Sequence, residues 1–138
     1  MGQETDRARL ERLRTIPLFA GLNDDMLKDV LAHSTEFEAA EGHVLAERNQ
    51  PGAGLFVIEE GRVTVDLANY DRELGPGEFF GELALLLEDE RHTARVCAAT
   101  PLRALAIRRD DFDTLLENEP KIAAAMLRTL AKRLAERK

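Results

Sequence analysis

The 138-residue sequence has no tryptophan, one tyrosine and one cysteine, and these scarcities exclude several kinds of protein. With Cys97 alone the chain forms no internal disulfide and no thiolate metal cluster, as expected of a reducing cytoplasm. His33, His43 and His92 are scattered, and no His-x-His occurs. A site built from clustered imidazole and carboxylate ligands is therefore not expected, nor any metal or cofactor. There is no Gly-x-Ser-x-Gly, no Walker loop and no Cys-x-x-Cys, so nucleophilic and phosphoryl-transfer chemistry has no centre and no catalysis is expected. No run approaches the ~20 apolar residues of a membrane helix. The charged start MGQETDRARLER is not a secretory signal. Basic residues are outnumbered 19 to 26, and the net charge of -7 disfavours non-specific association with nucleic acid or anionic lipid.

What remains is a chain with 44% hydrophobic and 33% charged residues, the composition and length of one compact domain spanning 1–138. Residues 1–35 read as helical. Thr5 to Arg14 has alternating charges and few apolar residues, as on a solvated helix. Asn23 or Asp24 can cap a second helix with Met26, Leu27, Val30 and Leu31 on one face. From 36 to 109 short extended segments alternate with turn chemistry: Phe37 to Ala40, Val44 to Glu47, Leu55 to Ile58, Arg62 to Leu67, Thr93 to Ala98 and Arg103 to Ile107. This spacing predicts a sandwich or a jelly-roll barrel of antiparallel strands. From 110 to 138 the pattern returns to helix, with Pro120 suited to a first turn and apolar residues at Ile122, Met126, Leu127, Leu130 and Leu134.

One stretch fits none of these patterns. Phe79-Phe80-Gly81-Glu82-Leu83-Ala84-Leu85-Leu86-Leu87 places a glycine and a carboxylate inside an apolar run. If Gly81 ends a turn and Glu82 to Leu86 form one helical turn, the unpaired N–H groups there attract an anion such as phosphate. Glu82 then needs another partner, and a vicinal hydroxyl of a sugar is a good one. An anion beside a ribose is a nucleotide. The leucines are expected to line the back of the pocket and join the barrel core.

With Thr93-Ala94-Arg95-Val96 following, the stretch resembles the phosphate-binding cassette of the cyclic nucleotide-binding domain family. Leu55 to Val63 and Leu74 to Phe80 are similar to that family's strand-turn-strand and its lead-in, and the resemblance runs from Leu18-Phe19 to the last helix. It implies a mainly β jelly-roll barrel with N-terminal helices, a cassette over 79–96 and a C-terminal lid or dimerisation helix. It marks Phe80, Gly81, Glu82, Leu83, Ala84, Leu85 and Thr93 as ligand-binding positions. Gly81, Ala84 and Leu85 would supply close backbone, and Glu82 the ribose 2'-hydroxyl contact. The family's phosphate-binding arginine position holds His92 here, with Arg91 one residue earlier, and either can take the role. Arginine is always charged and grips two oxygens, whereas histidine near neutral pH is mostly uncharged. The C-terminal helix places Arg133 near a base-contact position, with Arg137 behind it.

The resemblance implies a cytoplasmic cyclic nucleotide sensor, with cyclic AMP the expected ligand, whose C-terminal helix moves on binding. An effector protein or domain outside this sequence would carry the output. The family's DNA-binding receptors continue into a helix-turn-helix after the last helix. The sequence ends at Lys138, so no DNA-reading element is expected. The apolar residues of that helix form more than one stripe, which predicts a homodimer. The alternatives are a degenerate, nucleotide-free member of the fold serving as an interaction or dimerisation module, and a domain binding another small anion.

Overall fold

The computed structural model of the chain describes residues 6–50, 54–66, 71–86 and 94–136. Helix α1 (Asp6–Arg14) carries more apolar contact than its charges suggest, because Leu10 and Leu13 are buried. Pro17–Phe19 forms a short 3-10 turn that buries Leu18 and Phe19. Helix α2 (Asp24–Ala32) starts at Asn23, whose side chain accepts a hydrogen bond from the Met26 N–H at 3.0 Å, and it turns Leu27 and Val30 inward.

Eight strands follow: β1 (Thr35–Ala39), β2 (Val44–Ala46), β3 (Gly54–Glu60), β4 (Val63–Asp66), β5 (Asp71–Leu74), β6 (Phe79–Phe80), β7 (Arg95–Ala98) and β8 (Leu102–Arg108). They form two four-stranded antiparallel sheets, in the orders β1-β8-β3-β6 and β2-β7-β4-β5. A single turn of helix, α3 (Glu82–Leu86), follows β6, and α4 (Arg109–Asn118) and α5 (Pro120–Glu136) close the chain. This is the mainly β jelly roll with flanking helices that the sequence implies.

The first sheet is covered on both faces. Leu55, Val57, Phe79, Leu105 and Ile107 face the helices, where they pack with Leu13, Phe19, Leu27, Phe112, Ile122 and Met126. Ile58, Phe80, Leu102 and Ala104 face the second sheet and pack with Val63, Leu74, Val96 and Ala98. A strand buried on both faces needs apolar residues at successive positions, which explains the unbroken run Leu55-Phe56-Val57-Ile58. Each such side chain taken fully out of water contributes about 1.5–3 kcal/mol.

Two strands lie outside the segments expected from sequence. In β5 the residues are Asp-Arg-Glu-Leu, and the strand exists through pairing with β4, Val63 opposite Leu74 and Val65 opposite Arg72. In β6 only two residues pair, Phe56 opposite Phe80 and Val57 opposite Phe79.

Candidate functional site

The lead-in to the site is a turn at Gly75-Pro76-Gly77, where Gly77 has φ +89°. It is pinned by reciprocal bonds to β3: the Gly77 N–H to the Ile58 carbonyl and the Ile58 N–H to the Glu78 carbonyl, both 2.8 Å. Then Phe79 and Phe80 part to opposite faces, Phe79 into the helix-side core and Phe80 into the barrel. The Phe80 ring stacks on Phe56 at 5.0 Å between centroids.

Gly81 follows with φ +94°, a conformation that side chains with a Cβ rarely adopt. A Cβ there would also stand 2.4 Å from the Gly54 carbonyl oxygen. The chain can therefore turn from β6 into α3 only with glycine at this point. Glu82 and the helical turn after it lie where the sequence put them.

Glu82 is buried, with 6% of its surface exposed, yet it carries a carboxylate. Its partner comes from the far end of the chain. Arg133 on α5 places Nη1 3.5 Å from Glu82 Oε2, donates from Nη2 to the Phe79 carbonyl at 2.7 Å, and lies 4.5 Å from the Phe79 ring centroid. Burial pushes the Glu82 carboxyl up from its ordinary 4.5, while Arg133 and the residue's own backbone N–H pull it down. The same burial lowers the Arg133 guanidinium from its ordinary value, against the carboxylates of Glu82, Glu78 and Glu136. Next to this contact, Arg72 on β5 pairs with Glu136 on α5 at 3.2 Å. The last turns of α5 are thus tied to Glu82 and Phe79 by Arg133 and to β5 by Glu136.

Arg133, expected near a base-contact position, is half-buried and engaged by Glu82 and the Phe79 carbonyl. One reading of the sequence is revised. Leu85 joins the core between the first sheet and the helices, not the barrel core, and Leu86 is exposed. The cause is the direction of α3, which lies over β3 on the helix side, where Arg109 at the start of α4 donates to the Leu85 carbonyl at 3.3 Å. The Leu83 and Ala84 side chains and Leu87 lie outside the described residues, as do Arg91, His92, Thr93 and Arg137. Sequence reasoning did not single out Arg72, Glu136 or Gly54. Arg133 continues the row of Ile122, Met126 and Thr129 along α5, and that row was the available signal for its inward position. Among the described residues no group of three His, Cys, Asp or Glu side chains could hold a metal ion. No helix among them is long and apolar enough to cross a membrane.

Residues 36–119 match the model of the cyclic nucleotide-binding domain. The chain belongs to the cyclic nucleotide-binding domain family. It is 36% identical over 118 residues to a cyclic nucleotide-gated potassium channel of Rhizobium etli, covering 86% of this chain and 33% of the channel. It is 32% identical over 126 residues to the cyclic AMP receptor protein of Thermus thermophilus, covering 87% of this chain and 58% of the receptor. The solved N-terminal domain of a transcriptional regulator from Streptomyces coelicolor superposes with a TM-score of 0.66 at 33% identity, covering 92% of this chain and 94% of that domain. The chain therefore spans a third of the channel and little more than half of the receptor. The matched residues include the stretch from Phe79 onward that resembles the family's cassette, and Arg133 of the last helix meets its Glu82.

Proposed function

We propose that this domain is a non-enzymatic sensor of a cyclic nucleotide, cyclic AMP in the first instance, and that occupancy is relayed by α5. The observation that supports this most is the buried Glu82 carboxylate held by Arg133. A buried carboxylate needs a donor, and Arg133 of α5 stands beside it at 3.5 Å. A ribose 2'-hydroxyl arriving in the cassette is a donor of comparable strength. It takes over Glu82, and Arg133 becomes available to the base. The phosphate is met by the backbone around Gly81 and by Arg91 or His92. Because the nucleotide and Arg133 share one acceptor, ligand binding distinguishes two positions of α5, as a ligand must if it is to shift an equilibrium. An effector in another chain, or in sequence beyond these residues, reads that position.

The exposed Leu127 and Leu134 on α5 favour a second element of the same reading, a homodimer through this helix. They equally suit a nucleotide-free interaction module whose site is closed for good by Arg133. Calorimetric titration with cyclic AMP and cyclic GMP separates the two. Saturable heat that falls in Glu82→Ala supports the sensor, and larger heat with cyclic GMP would reassign the ligand. No heat at about millimolar nucleotide, the range of the weakest specific binding, would leave the interaction module standing.

A further inference from the structure

On the opposite side of the lead-in turn, a second buried glutamate faces a different arrangement. Glu59, near the end of β3, has a side chain only 4% exposed. Its Oε1 lies 3.2 Å from Arg12 Nη2, and the same nitrogen donates to Glu36 Oε2 on β1 at 2.9 Å. One guanidinium nitrogen therefore serves two carboxylates from two strands. Glu59 Oε2 is buried, and among the described residues no N–H or O–H group donates to it. The other cation near it, Arg103 on β8, does not supply that donor: it is engaged by Glu60 at 3.8 Å. The Thr15 hydroxyl donates to the Arg12 carbonyl at 2.7 Å.

We propose that the donor missing from Glu59 Oε2 is a proton shared with Glu36, and that this proton is the catch holding the end of α1 on the barrel. Burial raises the Glu59 carboxyl above its ordinary 4.5; Arg12 opposes the rise, and the neighbouring Glu36 adds to it. With the proton in place, Arg12 meets one net negative charge and the cluster is neutral. Without it, two carboxylates crowd one cation, with Glu60 adjoining. A cleft of about 160 Å³ lined by Arg12, Thr15, Glu59, Pro76 and Gly77 gives water access to the cluster. The elbow after α1 rests on the same turn, since a Cβ on Gly77 would stand 3.1 Å from Pro17 Cδ. The raised folded-state value sets the sign: the catch is closed at low pH and releases as pH rises through it. This device needs no nucleotide.

Two measurements on the nucleotide-free protein test it. In a carbon-13 titration of the glutamate carboxyls, Glu59 has a midpoint above the exposed glutamates, and Glu36→Gln, whose amide supplies a donor, brings it down. An ordinary Glu59 midpoint in the wild type overturns the proposal. In hydrogen exchange corrected for the intrinsic pH effect, amides of α1 lose protection between about pH 5 and about pH 8. Glu59→Gln, a permanently neutral replacement, keeps them protected throughout. If that variant folds poorly, Glu36→Gln gives the same reading, since it too should abolish the pH dependence. Protection that is flat in the wild type, or that falls equally in Glu36→Gln, overturns the catch.

Discussion

Gly81 and Gly54 approach so closely that a Cβ on Gly81 would stand 2.4 Å from the Gly54 carbonyl oxygen. Neither partner can move aside cheaply, because Gly54 is itself wedged against the Ile107 carbonyl, 2.5 Å from where its own Cβ would be. The contact fixes where β6 hands over to α3 and so where Glu82 points. Gly81→Ala combines a left-handed backbone with a backbone clash and should cost roughly 2 kcal/mol or more. Urea denaturation reads this directly, and a loss of only a few tenths would show that the turn relaxes.

Arg133→Ala removes the only donor that the described residues place from α5 onto Glu82. Its loss leaves a buried carboxylate short of a partner, at a cost of roughly 1–3 kcal/mol. The more telling readout is coupling. In the wild type, cyclic nucleotide should change hydrogen exchange over the last two turns of α5, and in Arg133→Ala that change should vanish even where nucleotide still binds. A persisting change would place the relay elsewhere.

Glu82→Ala should weaken cyclic nucleotide binding by roughly ten- to a hundredfold, the worth of one hydrogen bond to a charged group. Unchanged affinity in calorimetry would remove Glu82 from the ribose.

Stability should decline from acid toward neutral pH. Glu59, Glu82 and Glu119 are all raised by burial, so each contributes stability that is present below its unfolded value and lost as pH rises through the folded one. His33, raised by its hydrogen bond to the Asp29 carbonyl, acts in the same direction at higher pH. Urea midpoints measured from about pH 5 to about pH 8 should fall, and Glu82→Gln should flatten the slope. A rising midpoint would reverse the assignment.

Leu127 and Leu134, 68% and 65% exposed, are expected to meet their counterparts in a second copy. Light scattering at high concentration should give about twice the 15.4 kDa of one chain, and Leu127→Glu with Leu134→Glu should return it to one.

The sequence carried much of this because its signals are local. Asn23 before an amphipathic row marks a helix start, alternation marks Val63 to Asp66 as a strand, and Gly81-Glu82 inside an apolar run marks a turn of unusual chemistry. It could not reveal β5, where three of four residues are charged and the strand is made by its partner. Nor could it reveal β6, which is too short to have a period. The Arg133 contact with Glu82 joins positions 51 residues apart, and only helical phase along α5 hinted at it. The assignment of Leu85 to the barrel failed because hydrophobicity says that a side chain is buried but not in which of two cores.

Those two cores share one wall. β3 and β8 alternate along their length, sending Leu55, Val57, Leu105 and Ile107 to the helix side and Ile58, Leu102 and Ala104 to the barrel side. The partition is thinnest at β6, where Phe79 belongs to one compartment and Phe80 to the other, joined by a single peptide bond. Anything that rotates that bond is felt on both sides at once. Sequence drift should therefore be tolerated widely across the interior of this fold and hardly at all at these two neighbours.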